Sequence, residues 1–165
     1  MNPGTFRDTA INERSELVAF LNELEHRPQE EITTVIAAAD KAAWQETDCL
    51  ACANCCKTMT PAFTNEDIAR IATHLRITPA LFKKKWLKLE PKSGHWVNTS
   101  QPCQFLQSDN KCSVYPIRPA DCAGFPHHDK QPFNEYSETF KKNVVHCPAT
   151  YAFVKKLEEI VGKLK

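Results

Sequence analysis

Residues 49–56 read Cys49-Leu-Ala-Cys52-Ala-Asn-Cys55-Cys56, four thiols in eight positions. A thiolate is a soft ligand that selects zinc, copper(I) or iron–sulfur iron. Cysteine also serves as a small buried hydrophobe, but that use does not place four side by side. Four more follow at Cys103, Cys112, Cys122 and Cys147. Four thiolates at tetrahedral positions satisfy a zinc ion, and four also hold a [4Fe–4S] cube, one per iron. The stretch therefore sets the expectation for the whole fold. That expectation is a single compact domain, mainly α with a small β-hairpin, organised around a cysteine-ligated metal centre drawn from both halves of the chain. The small residues Ala51, Ala53 and Asn54 suit a tight loop wrapped around an ion.

Spacing separates the metals. Two C-x-x-C pairs far apart are a zinc pattern, and the second half of this chain has no such pair. The first half instead packs C-x-x-C-x-x-C. Bacterial ferredoxins seat three corners of a cube with that spacing, and a remote cysteine followed by proline supplies a corner. This chain has Cys147-Pro148. The expected cofactor is an iron–sulfur cluster, [4Fe–4S], with zinc as the alternative. Cys55 and Cys56 are neighbours whose side chains project in different directions, so Cys56 is expected to face a second site. On that division Cys49, Cys52, Cys55 and a distal cysteine form one centre, and Cys56 with the remaining distal cysteines forms or supports another. One four-cysteine centre with spare structural thiols is the other count. Four thiolates leave such a centre at about −2. Lys57, Lys111 and Arg118 are the cations placed in sequence to offset that charge.

Length and composition frame these sites. The 165 residues suit one domain, long enough to bury a core without cross-links. At 42% apolar and 25% charged the chain is globular in composition. A formal net charge of +1 offers no global field for nucleic acid or an anionic membrane. No apolar leader and no membrane-length apolar run is visible, so a reducing cytoplasm is expected. There, cysteines are metal ligands or redox groups rather than disulfides.

Residues 1–46 carry no cysteine and have helical periodicity through Ile11, Leu17, Val18, Phe20, Leu21 and Leu24. A second helix opens after Pro28 and carries Ile32, Val35, Ile36, Ala39 and Trp44. This N-terminal helical segment precedes a metal-binding region, 47–165, with which it is expected to form one integrated unit. Thr64-Asn-Glu-Asp67 is a helix start with Thr64 as N-cap, followed by a buried stripe of Ile68, Ile71, Ala72 and Leu75. Thr78-Pro79 opens a short helix with Leu81, Phe82, Trp86, Leu87 and Leu89 as its apolar positions. Strand-like pieces fall at 95–97, 104–106 and 113–115, with a turn at 108–111 joining the last two. The proline-rich stretch 116–135 is expected to be loop. Residues 148–164 form a closing helix with Tyr151, Val154, Leu157, Ile160, Val161 and Leu164 on one side. His127, His128 and His146 lie near cysteines in sequence, but surface histidines in a loop are the expected reading. Lys83, Lys84, Lys85 and Lys88 are expected on a solvated helix face, with docking to an acidic partner protein as the alternative.

Cys49-x-x-Cys52-x-x-Cys55-Cys56, Pro102-Cys103-Gln-Phe-Leu106, Cys112-Ser-Val-Tyr115, Arg118-Pro119 and Cys122-Ala-Gly-Phe-Pro126 together resemble the YkgJ-type CxxCxxCC cysteine-cluster family. The resemblance covers about residues 49–126, with Cys147 as an added ligand. It implies a zinc- or iron-chelating protein, often described as carrying an iron–sulfur cluster. Flagellin lysine methylases have a similar cysteine arrangement, which makes methyl transfer a distant analogy. With only four glycines, no glycine-rich nucleotide loop is evident. No Ser–His–acid set, phosphate loop or paired carboxylate stands out either, so no catalytic residue is assigned. The functions in competition are iron–sulfur electron transfer, redox sensing or service to another enzyme; a structural zinc protein that binds a partner; metal handling; and methyl transfer. The expected metal ligands are all eight cysteines.

Overall fold

The computed structural model describes residues 3–163. Their elements, in chain order, begin with helices α1 (Pro3–Glu25), α2 (Gln29–Glu46), α3 (Cys49–Cys52) and α4 (Asn54–Thr58), followed by strand β1 (Ala62–Phe63). Then come α5 (Asn65–His74), α6 (Pro79–Trp86), β2 (Leu87–Leu89), β3 (Trp96–Asn98) and a single 3-10 turn at Tyr115–Ile117. The chain closes with α7 (Ala120–Gly124), α8 (Phe133–Asn143) and α9 (Pro148–Gly162). The protein is mainly helical, as the periodicity implies. It divides into two compact units: residues 1–49 with 126–165, and residues 50–125.

The first unit is an assembly of α1, α2, α8 and α9. Leu17, Leu21 and Leu24 of α1 are buried, as are Ile32, Val35, Ile36 and Ala39 of α2. Ile11, placed on the apolar stripe by sequence, is instead half exposed at 50%. Phe6 and Ala10 occupy the buried face one turn away. Helix α9 is enclosed on almost every side. Ala149, Thr150, Tyr151, Ala152, Phe153 and Val154 are all buried, together with Leu157 and Val161. Leu164 lies outside the described residues. Helix α8 is an element that sequence reading missed. Its start lies in the stretch expected to be loop, yet Phe133, Phe140 and Val144 return at helical spacing and are fully buried. Each such aromatic or branched side chain contributes roughly 1.5–3 kcal/mol on burial.

The second unit has a smaller core of Phe63, Ile68, Ile71, Ala72, Phe82, Leu87, Phe105 and Val114. Cys103, Cys112, Trp86 and Trp96 pack against it. Helix α5 starts as its capping signal predicts. Thr64 Oγ1 accepts the Asp67 N–H at 3.0 Å, and the Thr64 N–H donates to Asp67 Oδ2 at 3.0 Å. Thr78 caps α6 by accepting the Leu81 N–H at 3.2 Å.

The expected hairpin is replaced by a three-stranded antiparallel sheet of order β1-β3-β2. Only the 95–97 piece becomes a strand. Leu87 and Leu89, expected on α6, belong to β2, where Leu87 is buried and Leu89 is 52% exposed. Residues 106–112 keep the turn but only one ladder bridge, Leu106 with Cys112. The turn closes with the Gln107 N–H donating to the Lys111 carbonyl at 2.8 Å. Tyr115 enters the 3-10 turn because Pro116 cannot donate to a ladder. The stretch expected to be loop, 116–135, also holds α7. Among the described residues no helix is long and apolar enough to cross a membrane.

Candidate metal centre

Six of the eight cysteines, Cys52, Cys55, Cys56, Cys103, Cys112 and Cys122, lie in the 50–125 unit, and Cys49 and Cys147 lie in the other. None of the eight is in a disulfide. Helices α3 and α4 carry the dense cluster, and Ala53 between them adopts a left-handed conformation at φ 49°. That conformation breaks the helix after Cys52 and starts a new turn at Asn54. For a residue with a Cβ it costs on the order of 1 kcal/mol, and the small side chain is 4% exposed.

Two backbone networks bring distant cysteines to this cluster. The Cys103 N–H donates to the Cys56 carbonyl at 2.8 Å, tying the 102–106 loop to α4. Helix α7, which carries Cys122, is held at its start from two sides. Asp67, 1% exposed, accepts the Ala120 N–H on Oδ1 at 3.1 Å. Asp121 Oδ2 accepts the Ala62 N–H of β1 at 2.9 Å. The same Asp67 carboxylate binds Arg70 at 2.5 Å, and Arg70 in turn donates to the carbonyls of Ile117 and Arg118. Burial pushes the Asp67 carboxyl up, but hydrogen bonds from Thr64, Arg70 and Ala120 outweigh it and hold the group below the usual carboxylate range.

The outcome is a set of four thiols, Cys56, Cys103, Cys112 and Cys122. Every pair among them is close enough for the charge of one to disfavour the charge of the other. Burial pushes Cys122 up to about 12, and its three thiol neighbours and Asp121 add to that. Burial likewise pushes Cys103 and Cys112 up. Donors oppose it at both sulfurs: the Phe105 and Leu106 N–H groups and the Asn98 side chain at Cys103, and the Val114 N–H at Cys112. In both cases the N–H two residues after the cysteine is turned towards its own sulfur. Cys56 behaves differently. The Cys55 thiol hydrogen-bonds to it and drops it to about 7, with Lys57 assisting through its charge.

Of the cations expected to offset the thiolates, Lys57 acts on Cys56 and Arg118 on Cys112. Arg118 is braced over the Tyr115 ring at 4.0 Å and donates to the Tyr115 carbonyl at 2.9 Å. Lys111 instead pairs with Asp109 at 3.3 Å on the exposed turn. Among the described residues no three Cys, His, Asp or Glu side chains stand in a finished metal-ligating arrangement. The four thiols are gathered within electrostatic reach but not at ligand spacing. Thiols have no attraction to one another until a cation draws their sulfurs together. The thiol chemistry nonetheless fits a soft metal. The orphaned side-chain nitrogen of Asn98, buried and offered to the Cys103 sulfur, fits the anionic thiolate that a metal creates.

The histidines resolve differently from expectation. His128 is not on the surface: it is 3% exposed and stacked on Phe153 at 4.1 Å. Its Nδ1 lies 2.8 Å from Asp40 Oδ1 and its Nε2 lies 3.2 Å from Thr150 Oγ1. A ring with both nitrogens bonded inside an apolar unit is a core histidine, and no sequence pattern marked it. Cys147, 6% exposed, immediately precedes the first turn of α9. The lysine helix face is partly engaged: Lys83 Nζ lies 4.7 Å from the Trp96 ring centre and Lys85 Nζ 4.5 Å from that of Trp86.

A helical protein whose second unit gathers thiols from four separate segments, with N–H donors and cations aimed at their sulfurs, is of the thiolate metal-chelating class. The profile of the CxxCxxCC family, described as a "putative zinc- or iron-chelating domain", matches residues 48–148. That span is more than half of the chain, and the protein belongs to this family. No curated protein and no solved structure matches the chain.

Proposed function

We propose that the protein is an iron–sulfur protein, serving electron transfer, redox sensing or another enzyme, whose centre is held by Cys56, Cys103, Cys112 and Cys122. The observation that carries this reading is the mutual electrostatic contact of every pair among those four thiols. One corner comes from the dense cluster and three come from single remote cysteines, a donor set that supplies one thiolate per iron of a cube. Lys57 and Arg118 lower the cost of the net negative charge on such a centre. This assignment follows the part of the sequence division that gives Cys56 to the distal cysteines. Cys49, Cys52, Cys55 and Cys147 are not part of this set.

The test is anaerobic purification followed by measurement of iron, zinc, copper and acid-labile sulfide per chain, with a visible spectrum. Iron and sulfide in equal amounts, about four each per centre, are expected, and Cys56→Ser, Cys103→Ser, Cys112→Ser and Cys122→Ser should each lower both. One or two zinc ions without sulfide would overturn the iron–sulfur reading in favour of a structural or metal-handling zinc site, which the family description accommodates equally. Unchanged metal in the four serine variants would overturn the ligand set.

A further inference from the structure

Asn98 ends β3 and is 3% exposed. Its backbone is pinned by pairing with Leu87 and by its N–H donating to Thr60 Oγ1 at 2.9 Å. Its side chain is oriented from outside: Gln104 Nε2 donates to Asn98 Oδ1 at 3.0 Å. An amide whose oxygen is claimed in this way must turn its nitrogen to the other side. That nitrogen, Nδ2, is buried and has no hydrogen-bond partner. The side chain is nevertheless offered to the Cys103 sulfur, close enough to favour its anion without closing a bond to the thiol. Leaving a buried donor unsatisfied costs its full desolvation, so the metal-free fold carries a penalty at this position. A thiol is a weak acceptor, whereas a metal-bound thiolate is a strong one.

We propose that Asn98 is the positioning residue of the metal centre, donating an N–H···S hydrogen bond from Nδ2 to the metal-bound Cys103 thiolate, with Gln104 setting the direction of the donor. The inference rests on the four-thiolate reading of the site. The donor is buried, so water does not compete for it. It also completes the shell of N–H groups that Phe105 and Leu106 begin around the same sulfur. Partners of this kind fix the orientation of a ligand and tune the electron density on the metal. Neither asparagine nor glutamine is itself a ligand here, and Asn98 lies outside the cysteine motif.

The test uses the full chain, stripped of metal and titrated with cobalt(II), whose charge-transfer absorbance reports thiolate ligation, followed by competition with zinc. Asn98→Leu preserves shape and removes the donor. It is expected to weaken cobalt and zinc binding by about 10–100-fold. The metal-free melting temperature should stay level or rise, because the unsatisfied buried amide is gone. Gln104→Leu, which lets the amide turn, should weaken binding in the same direction but less. Unchanged affinity in Asn98→Leu would overturn the proposal. So would a loss of affinity matched by a lower metal-free melting temperature, which marks a purely structural residue. Unchanged affinity in Gln104→Leu would overturn the orienting role. A wild-type chain that shows no thiolate–cobalt absorbance would instead sink the four-thiolate reading, a failure visible before any variant is made.

Discussion

The two units are built on different principles. The unit of α1, α2, α8 and α9 is held by apolar burial, with Phe6, Phe133, Phe140, Phe153 and a set of leucines at 1% exposure or less. It also buries His128, Ser137, Lys141, Asn143 and Thr150, with His128 matched on both ring nitrogens. The 50–125 unit has strands of two or three residues and a core of eight buried residues. It is tied together by polar contacts that reach far along the chain: Asp67 to Ala120, Asp121 to Ala62, Cys103 to Cys56. A fold of short elements cannot bury enough apolar surface to dominate its conformational entropy. It leans instead on hydrogen-bond hubs and, in the reading proposed here, on metal. Six of the eight thiols sit in this unit.

The largest effect should come from removing the metal. Metal binding at a structural thiolate site is also folding free energy, roughly 10–16 kcal/mol where the metal is zinc. Stripping should therefore accelerate amide hydrogen exchange across 50–125 and leave 6–46 and 133–161 protected. Equal loss of protection in both units would break the comparison.

The converse lesion is Phe153→Ala. Deleting a fully buried phenylalanine costs about 3–5 kcal/mol, read as a lower urea midpoint for the four-helix unit. Metal per chain should not change, and a fall in metal content would show that the units are not independent in this respect.

Asp67→Ala strikes the polar hub. It removes the carboxylate half of the capping box of α5 and strands the N–H groups of Thr64 and Ala120, a loss of about 2–4 kcal/mol. The expected signature is a lower melting temperature for the 50–125 unit and weaker retention of Cys122 as a ligand in cobalt spectra. A change confined to α5 would remove α7 from the hub.

The smallest effect is one of pH on the helical unit. Burial holds the His128 imidazole below its ordinary pKa of 6.5, and Asp40 and Asp129 oppose that shift while His127 adds to it. The unfolded chain therefore binds a proton more readily than the folded one between the folded pKa and 6.5. Stability should be level above 6.5 and should decline as pH falls below it. His128→Phe, which keeps a ring on Phe153, should flatten that decline in thermal melts. A decline equally steep in the variant would assign it to other groups.

Much of this architecture was legible in the residues themselves. Thr64, Thr78 and Pro148 announce helix starts because a cap acts within one turn, so its partners are always its sequence neighbours. The buried stripe of α5 and the leucines of α1 follow from a period of 3.6 residues. Helix α8 was legible too, in Phe133, Phe140 and Val144, but the prolines before it masked the period. Membership of a metal-chelating family was written in cysteine spacing, which is chemistry before it is structure.

Other features were decided only by tertiary structure. Residues 62–63 become a strand because Val97 and Trp96 lie beside them, some 35 residues away in sequence, and two residues carry no period to detect. Which cysteines meet depends on Asp67 and Asp121 holding α7 and on Cys103 bonding to Cys56, contacts that close long loops. His128 is buried because Phe153, Asp40 and Thr150 arrive from other helices. Asn98 is buried with its side-chain oxygen held by Gln104. The sequence by itself determined the ligand chemistry and the local starts and stops of the helices, since both are set by neighbouring residues. Long-range packing alone chose which thiols share a site and which polar groups are buried beside them, because those choices depend on surfaces that exist only once the chain has closed.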